Sequence, residues 1–211
     1  RYRMQSKIIL LTTAILIFVP AIFFFVCDFG QVSIGKRTLL SLFQSVTTRT
    51  AGFNTADLSS MTEVGQAIMI LLMLMGGSPS STAGGMKTTT VAVLLLNAFA
   101  TFRSREDAGA FGRRFDSQVI KNAATIAMLY FVLFFFGGIT ISVYEGLSLQ
   151  LCLYEAASAV GTVGLTLGIT PGLHILSRLI LIVLMYLGRV GGLTLICLLY
   201  TSPSPRDRSL S

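Results

Sequence analysis

Thr50-Ala51-Gly52-Phe53 and Thr162-Val163-Gly164-Leu165 are near copies of one small-residue motif, each entered by a short Ser/Thr-containing segment and followed by a long apolar stretch. The second copy contains Thr-Val-Gly, the opening of the loop in which potassium channels replace an ion's hydration shell with backbone carbonyls. Gly52 and Gly164 can take positive φ, as a tightly bent backbone aimed at an ion requires. The bland alternative is a helix-packing face of small residues through Gly161, Gly164 and Gly168. The same pattern at matching positions in two halves of the chain favours the pore.

Composition places these motifs in a membrane. Hydrophobic residues make up 53% of the chain and charged residues 12%, and the mean hydropathy is +0.77. A soluble surface does not tolerate that balance. Four apolar stretches reach the roughly 20 residues a span needs: Ile8 to Val26, Glu63 to Phe102, Val119 to Val143 and Ile175 to Ile196. Apart from Glu63 and Lys121 at interface ends, the charged groups within them are Lys87, Arg178 and Arg189. A cation facing lipid at mid-depth costs at least ~2.5 kcal/mol, which marks Lys87 and Arg189 for function. Arg178 reads as a side chain snorkelling near a helix end.

The net charge of +7 sets orientation and does not call for nucleic acid. Arg1, Arg3 and Lys7 precede the first span, and Arg103, Arg105, Arg113, Arg114 and Lys121 lie between the second and third. Both segments are expected in the cytoplasm, which puts the two motifs on the outer side. Lys36 and Arg37 run against this trend. Cys27, Cys152 and Cys197 have neither paired nor metal-ligand spacing and read as small apolar residues.

Each half is expected to run span, short re-entrant helix, motif, span. The first unit occupies 1–102 with a pore-helix candidate at Leu39 to Thr48, a basic linker covers 103–118, and the second unit occupies 119–196 with a pore-helix candidate at Leu149 to Ala159. Non-helical backbone at membrane depth is tolerated only where protein buries it or where it lines a water-filled cavity. Carbonyls of Thr50, Ala51, Gly52, Phe53, Thr162, Val163, Gly164 and Leu165 are therefore the expected ion ligands, with K+ as the cargo.

The stretch from Glu63 to Phe102 would reach ~60 Å as one helix, about twice the hydrocarbon thickness. It is interrupted by Gly76-Gly77-Ser78-Pro79-Ser80-Ser81-Thr82-Ala83-Gly84-Gly85, which cannot sit quietly in a helix. Beneath a filter, such a loop reads as a gate. Lys87 is expected either to repel cations there or to anchor the loop, and Arg189, flanked by Gly188 and Gly191, is expected to contact it. A phosphate-binding loop fails on spacing, since Met86 separates Gly85 from Lys87.

With these residues in hand, the chain resembles the C-terminal half of a membrane subunit from the Trk/Ktr/HKT superfamily of potassium transporters, its Ktr-like branch above all. The resemblance rests on the run from Ser45 to Thr55, the Gly/Ser/Pro loop leading into Lys87-Thr88-Thr89-Thr90, the run from Gly161 to Leu165, and Gly188-Arg189-Val190-Gly191. Gly192 departs from the pattern, where many relatives are expected to carry proline. The resemblance implies an all-α membrane protein and a pore of four repeats, of which this chain carries the third and fourth. It implies an intramembrane gating loop at Gly76 to Gly85 that interacts with Arg189. It further implies a multi-pass plasma-membrane protein whose partners are the preceding repeats, a second copy of the subunit, the lipid bilayer and a cytoplasmic ring of nucleotide-binding regulatory subunits. No cofactor site is read in the chain.

Two further expectations concern the ends and the oddities. Arg1 opens directly onto a helix as though cut from something longer, and the string from Cys197 to Asp207 resembles one reading frame of a transposase library adapter, so 197–211 is expected to be non-native. Arg49, beside the motif, is expected to pair with Glu155 and brace the filter. His174 reads as an interfacial side chain. The rival function is a secondary cation transporter in which broken helices alternate access, but no carboxylate lies deep in these spans. An intramembrane enzyme lacks any Ser/His, paired-carboxylate or metal constellation.

Overall fold

Pro171-Gly172, Gly146 and the Gly76-Gly77 pair break an otherwise apolar chain into seven α-helices among the described residues. The computed structural model describes residues 4–79, 81, 83–103, 109–110 and 113–190. In order these are α1 (Met4–Cys27), α2 (Ile34–Thr47), α3 (Glu63–Leu74), α4 (Thr88–Phe102), α5 (Ser117–Glu145), α6 (Leu149–Val160) and α7 (Ile175–Val190). A short antiparallel pair, Gly109–Ala110 with Arg113–Arg114, lies between α4 and α5 and was not expected in an all-α chain. The expected adapter tail, Gly191 and Gly192 lie outside the described residues.

Helices α1 and α5 are long and apolar enough to cross a membrane. Leu10, Leu11, Phe18, Val19, Ile22 and Val26 all stand exposed on α1. Large side chains of this kind are stable facing outward only against an apolar medium. The chain then repeats an order: a long helix, a short helix, a bent segment, and another apolar helix. In the first half that last helix is broken, with α3 and α4 separated by the loop Met75 to Lys87.

Helix ends follow local chemistry. Thr62 caps α3 by accepting the Gly65 amide at 3.0 Å, and it donates its own hydroxyl to Asp28 Oδ1 at 2.8 Å. Asp28 Oδ1 also accepts the Thr62 amide at 2.9 Å, which pins the end of α1 to the start of α3. Asp116 accepts the Gln118 amide at the start of α5, and Gly146 ends that helix in the left-handed conformation.

Helix α2 begins at Ile34, five residues before the expected Leu39, because Arg37 is usable there. Its guanidinium donates to the Phe25 carbonyl at 2.5 Å and stacks 4.3 Å from the Phe25 ring centroid. A cation is favoured at the carbonyl end of α1 and over an aromatic face. Helix α6 agrees with the expected pore-helix segment to within one residue.

The core is centred on α6. Cys152, Tyr154, Ala156, Ala157 and Val160 are fully enclosed, with α3, α5 and α7 packed around them. Glycines set the spacing: a Cβ on Gly138 would meet Leu153 of α6, one on Gly188 would strike the Val160 carbonyl, and one on Gly161 would strike the Met73 carbonyl. The end of α6 is thus pressed between α3 and α7, and the second motif begins there.

Candidate functional site

Both motifs leave the end of a short helix with a threonine in the left-handed region. Thr50 has φ 68° and Thr162 φ 52°, and these are the two non-glycine residues with positive φ among the described residues. For a β-branched residue that conformation is a real outlier, and such strain persists where surrounding structure fixes it. Gly52 and Gly164 follow two residues later at φ 72° and φ 94°. The sign of φ alternates along the first three residues of each motif.

The amides point back into the helix ends. Ala51 and Gly52 donate to the Thr47 carbonyl at 3.2 and 3.1 Å, and Val163 donates to the Ser158 carbonyl at 2.9 Å. Gly164 donates to Ser158 Oγ at 3.2 Å. In the first motif Thr47 Oγ1 also holds the Phe53 carbonyl at 2.6 Å. These bonds occupy amides of both motifs and, in the first, the Phe53 carbonyl as well.

The two motifs lie against each other. A Cβ added to Gly52 would collide with the Val163 carbonyl oxygen and sit near Gly164. Val163 and Leu165 are buried while Phe53 is 71% exposed, so the outermost positions differ between the copies. Thr162 to Leu165 line a cleft of about 560 Å³ together with Glu155, Ser158, Met185 and Arg189.

The loop between α3 and α4 folds back on itself. Met75 and Met86 form a parallel bridge, Met86 donates to the Leu74 carbonyl at 3.1 Å, and Thr88 donates to the Gly77 carbonyl at 3.2 Å. Gly76 accommodates the Gly84 carbonyl, and Gly85 takes φ 70° in the return. Ser81 bonds to the Ser78 carbonyl through its amide at 3.1 Å and its hydroxyl at 2.6 Å. Ser80 and Thr82 lie outside the described residues; Pro79 and Ala83 complete the described part of the turn.

Lys87 anchors this loop. Its Nζ donates to the Ala83 carbonyl at 2.6 Å and to the Ser81 carbonyl at 3.3 Å, as the expected anchoring role requires. The loop's returning limb reaches the second motif, where the Gly84 amide donates to Thr162 Oγ1 at 3.1 Å. Arg189 lines the cleft beside Thr162 to Leu165. Lys87 and Thr162 tie the loop down.

Glu155 corrects another expectation. It does not pair with Arg49: it accepts Thr166 Oγ1 at 2.5 Å, the Leu167 amide at 3.1 Å and Thr170 Oγ1 at 2.8 Å. Arg49 Nε is buried without a hydrogen-bond partner. His174 donates its amide to Glu145 Oε1 at 2.8 Å and sets its ring edge-on to Tyr144. Arg178 donates to the Pro171 carbonyl at 2.7 Å. Ser158 was missed in the sequence as a support of the second motif, although a Ser in the segment entering it was visible, and Glu155 was named as a brace but with the wrong partner.

Taken together, long apolar helices that face outward around an enclosed short helix define an all-helical membrane protein. The sequence model of the TrkH family, "Cation transport protein", matches residues 4–209. The chain belongs to that family of cation transport proteins. It is 36% identical over 202 residues to the potassium/sodium uptake protein NtpJ of Enterococcus hirae, covering 92% of this chain and 45% of the relative. It is 33% identical over 201 residues to the Ktr system potassium uptake protein B of Bacillus subtilis, with the same two shares. The crystal structure of the potassium transporter TrkH from Vibrio parahaemolyticus superposes with a TM-score of 0.73 at 21% identity, over 96% of this chain and 44% of that one. The chain thus spans about 45% of the length of the curated relatives it matches.

Proposed function

We propose that this chain supplies two of the four quarters of a potassium pore, with K+ uptake across the plasma membrane as the activity of the whole protein. The observation that carries this reading is the paired strain at Thr50 and Thr162, each followed by a positive-φ glycine, in two segments that touch at Gly52 and Val163. Strained threonines in adjacent copies are hard to explain by packing. They follow directly from the need to aim carbonyls at a shared axis in place of an ion's water.

In this mechanism the ion loses hydration water to carbonyls of Thr50, Ala51, Gly52 and Phe53, to those of Thr162, Val163, Gly164 and Leu165, and to equivalent groups from two further quarters. The loop Gly76 to Gly85 lies under the second segment and blocks the path while Lys87 and Thr162 hold it. Release of those bonds opens the path. The basic linker around Arg103 to Lys121 faces the cytoplasm, where nucleotide-binding regulatory subunits would act on it, and a second copy of the subunit packs alongside in the bilayer.

The test is ion flux into liposomes carrying the complete protein. Rubidium uptake driven by an ion gradient, with lithium largely excluded, is the expected result. Equal uptake of the two ions, or none of either, would sink the potassium-pore reading. Deleting Ser78 to Gly84 is expected to raise basal flux, and unchanged flux would count against gating by that loop.

A further inference from the structure

The second motif is held along its whole return path by one face of α6. Gly161 bonds to the Ala157 carbonyl at 2.8 Å, Val163 to the Ser158 carbonyl, and Gly164 to the Ser158 hydroxyl. One turn back on the same face, the buried Glu155 carboxylate receives Thr166, Leu167 and Thr170. Thr166 Oγ1 in turn accepts the Gly168 amide at 2.9 Å. The chain leaving the motif is therefore laced to the helix that enters it, and its last ties converge on a single acceptor.

The first motif has no such acceptor. Counting back from the two motif threonines, the residue in register with Glu155 is Phe43. There the support is the neutral bond from Thr47 Oγ1 to the Phe53 carbonyl, and the following segment closes locally through Asn54 and Asp57. Glu155 is also 4% exposed. A carboxylate so enclosed is costly unless several donors meet it, and bonds to an ionised acceptor are about twice as strong as neutral ones.

We propose that Glu155 is a positioning residue of the filter: through Thr166, Leu167 and Thr170 it fixes the spacing of the Val163, Gly164 and Leu165 carbonyls, and so sets how sharply this quarter tells K+ from smaller cations. Glu155 never touches the ion in this scheme. Its contribution is geometric, since carbonyls on a loosened backbone close around a smaller ion as readily as around a larger one. The proposal rests on the pore reading above.

The test compares wild type, Glu155→Ala, Glu155→Gln and the double variant Thr166→Val/Thr170→Val in the complete membrane-embedded protein, with two readouts. One is the ratio of rubidium to lithium uptake, and the other is amide hydrogen exchange over residues 163–167. In protein that elutes like wild type, loss of even one charge-assisted bond corresponds to about tenfold or more. Glu155→Ala and the double variant should therefore lower the uptake ratio and raise exchange by at least that factor, while Glu155→Gln, which keeps an acceptor oxygen, falls between. If Glu155→Ala does not fold, the double variant removes two of the three bonds from the other side, sparing that of the Leu167 amide, without leaving a cavity on α6. A double variant with wild-type ratio and exchange overturns the proposal, as does a lowered ratio with unchanged exchange. Wild type that excludes neither ion sinks the pore reading itself, and exchange then decides whether Glu155 braces this segment.

Discussion

The amide of Gly84, on the returning limb of the loop between α3 and α4, donates to the hydroxyl of Thr162, the strained first residue of the second motif, at 3.1 Å. The loop and the second motif are thus joined by a hydrogen bond across 78 positions of sequence. There is no space between them: a Cβ on Gly84 would strike the Thr162 side chain. Replacing Gly84 by Ala should push the loop off its seat and raise basal rubidium uptake, while Thr162→Ser, which keeps the hydroxyl, should leave the loop docked. Basal uptake in G84A equal to wild type would separate the loop from the gate.

Lys87 offers an independent handle on the same loop. Its two carbonyl partners, Ala83 and Ser81, lie within the turn it closes, and a hydrogen bond from a charged donor is worth roughly 1.5–3 kcal/mol. Lys87→Met should shift the loop toward release and increase unstimulated flux by about tenfold or more. A variant that conducts no better than wild type but selects ions worse would move Lys87 from the gate to the filter.

Arg189 lines the cleft beside the second motif. Arg189→Ala is expected to change the open fraction more than the rubidium-to-lithium ratio, because the arginine is a side chain at the cleft wall and not part of the motif backbone. Measured together, those two quantities decide the matter: a ratio that collapses at constant open fraction reassigns the residue.

The two motif glycines should not be equivalent. Both have positive φ, so alanine at either position is strained by about 1 kcal/mol or more. At Gly164 nothing lies within 4 Å of a new Cβ, whereas at Gly52 the Val163 carbonyl is in the way. Overpacking of that kind adds about 1–3 kcal/mol. Gly52→Ala should therefore lower the melting temperature of the purified protein more than Gly164→Ala does, and the opposite order would contradict the packing of the two motifs.

Helix α3 provides a control away from the ion path. Thr62 caps it and also donates to Asp28, so Thr62→Ala should cost about 1 kcal/mol from the lost cap. The expected effect is a lower melting temperature with an unchanged rubidium-to-lithium ratio. A changed ratio would show that the outer end of α3 is coupled to the filter.

Much of this was legible in local sequence. Glycine and proline between Gly76 and Gly85 cannot continue a helix, and the observed break from Met75 to Lys87 encloses that run. The motif glycines announced positive φ because no other residue takes it cheaply. The early start of α2 was hidden, since Gly35-Lys36-Arg37 looks like a solvated loop until Arg37 finds the carbonyl end of α1. Glu155 was assigned the wrong partner for a similar reason. Opposite charge suggested Arg49, but the chain leaving the motif returns along α6 and presents two hydroxyls and an amide first.

The sequence by itself determined what depends on near neighbours: apolar length, helix breaks, the twice-written motif and the conformational freedom of its glycines. Only the tertiary structure decided that the two motifs touch at Gly52 and Val163, that Lys87 anchors and Thr162 receives the loop, and that Glu155 ties down the segment after the second motif. Those are contacts between residues far apart along the chain. Their partners are chosen by the direction in which each segment returns, and that direction is set by the packing of α3, α5 and α7 around the enclosed end of α6.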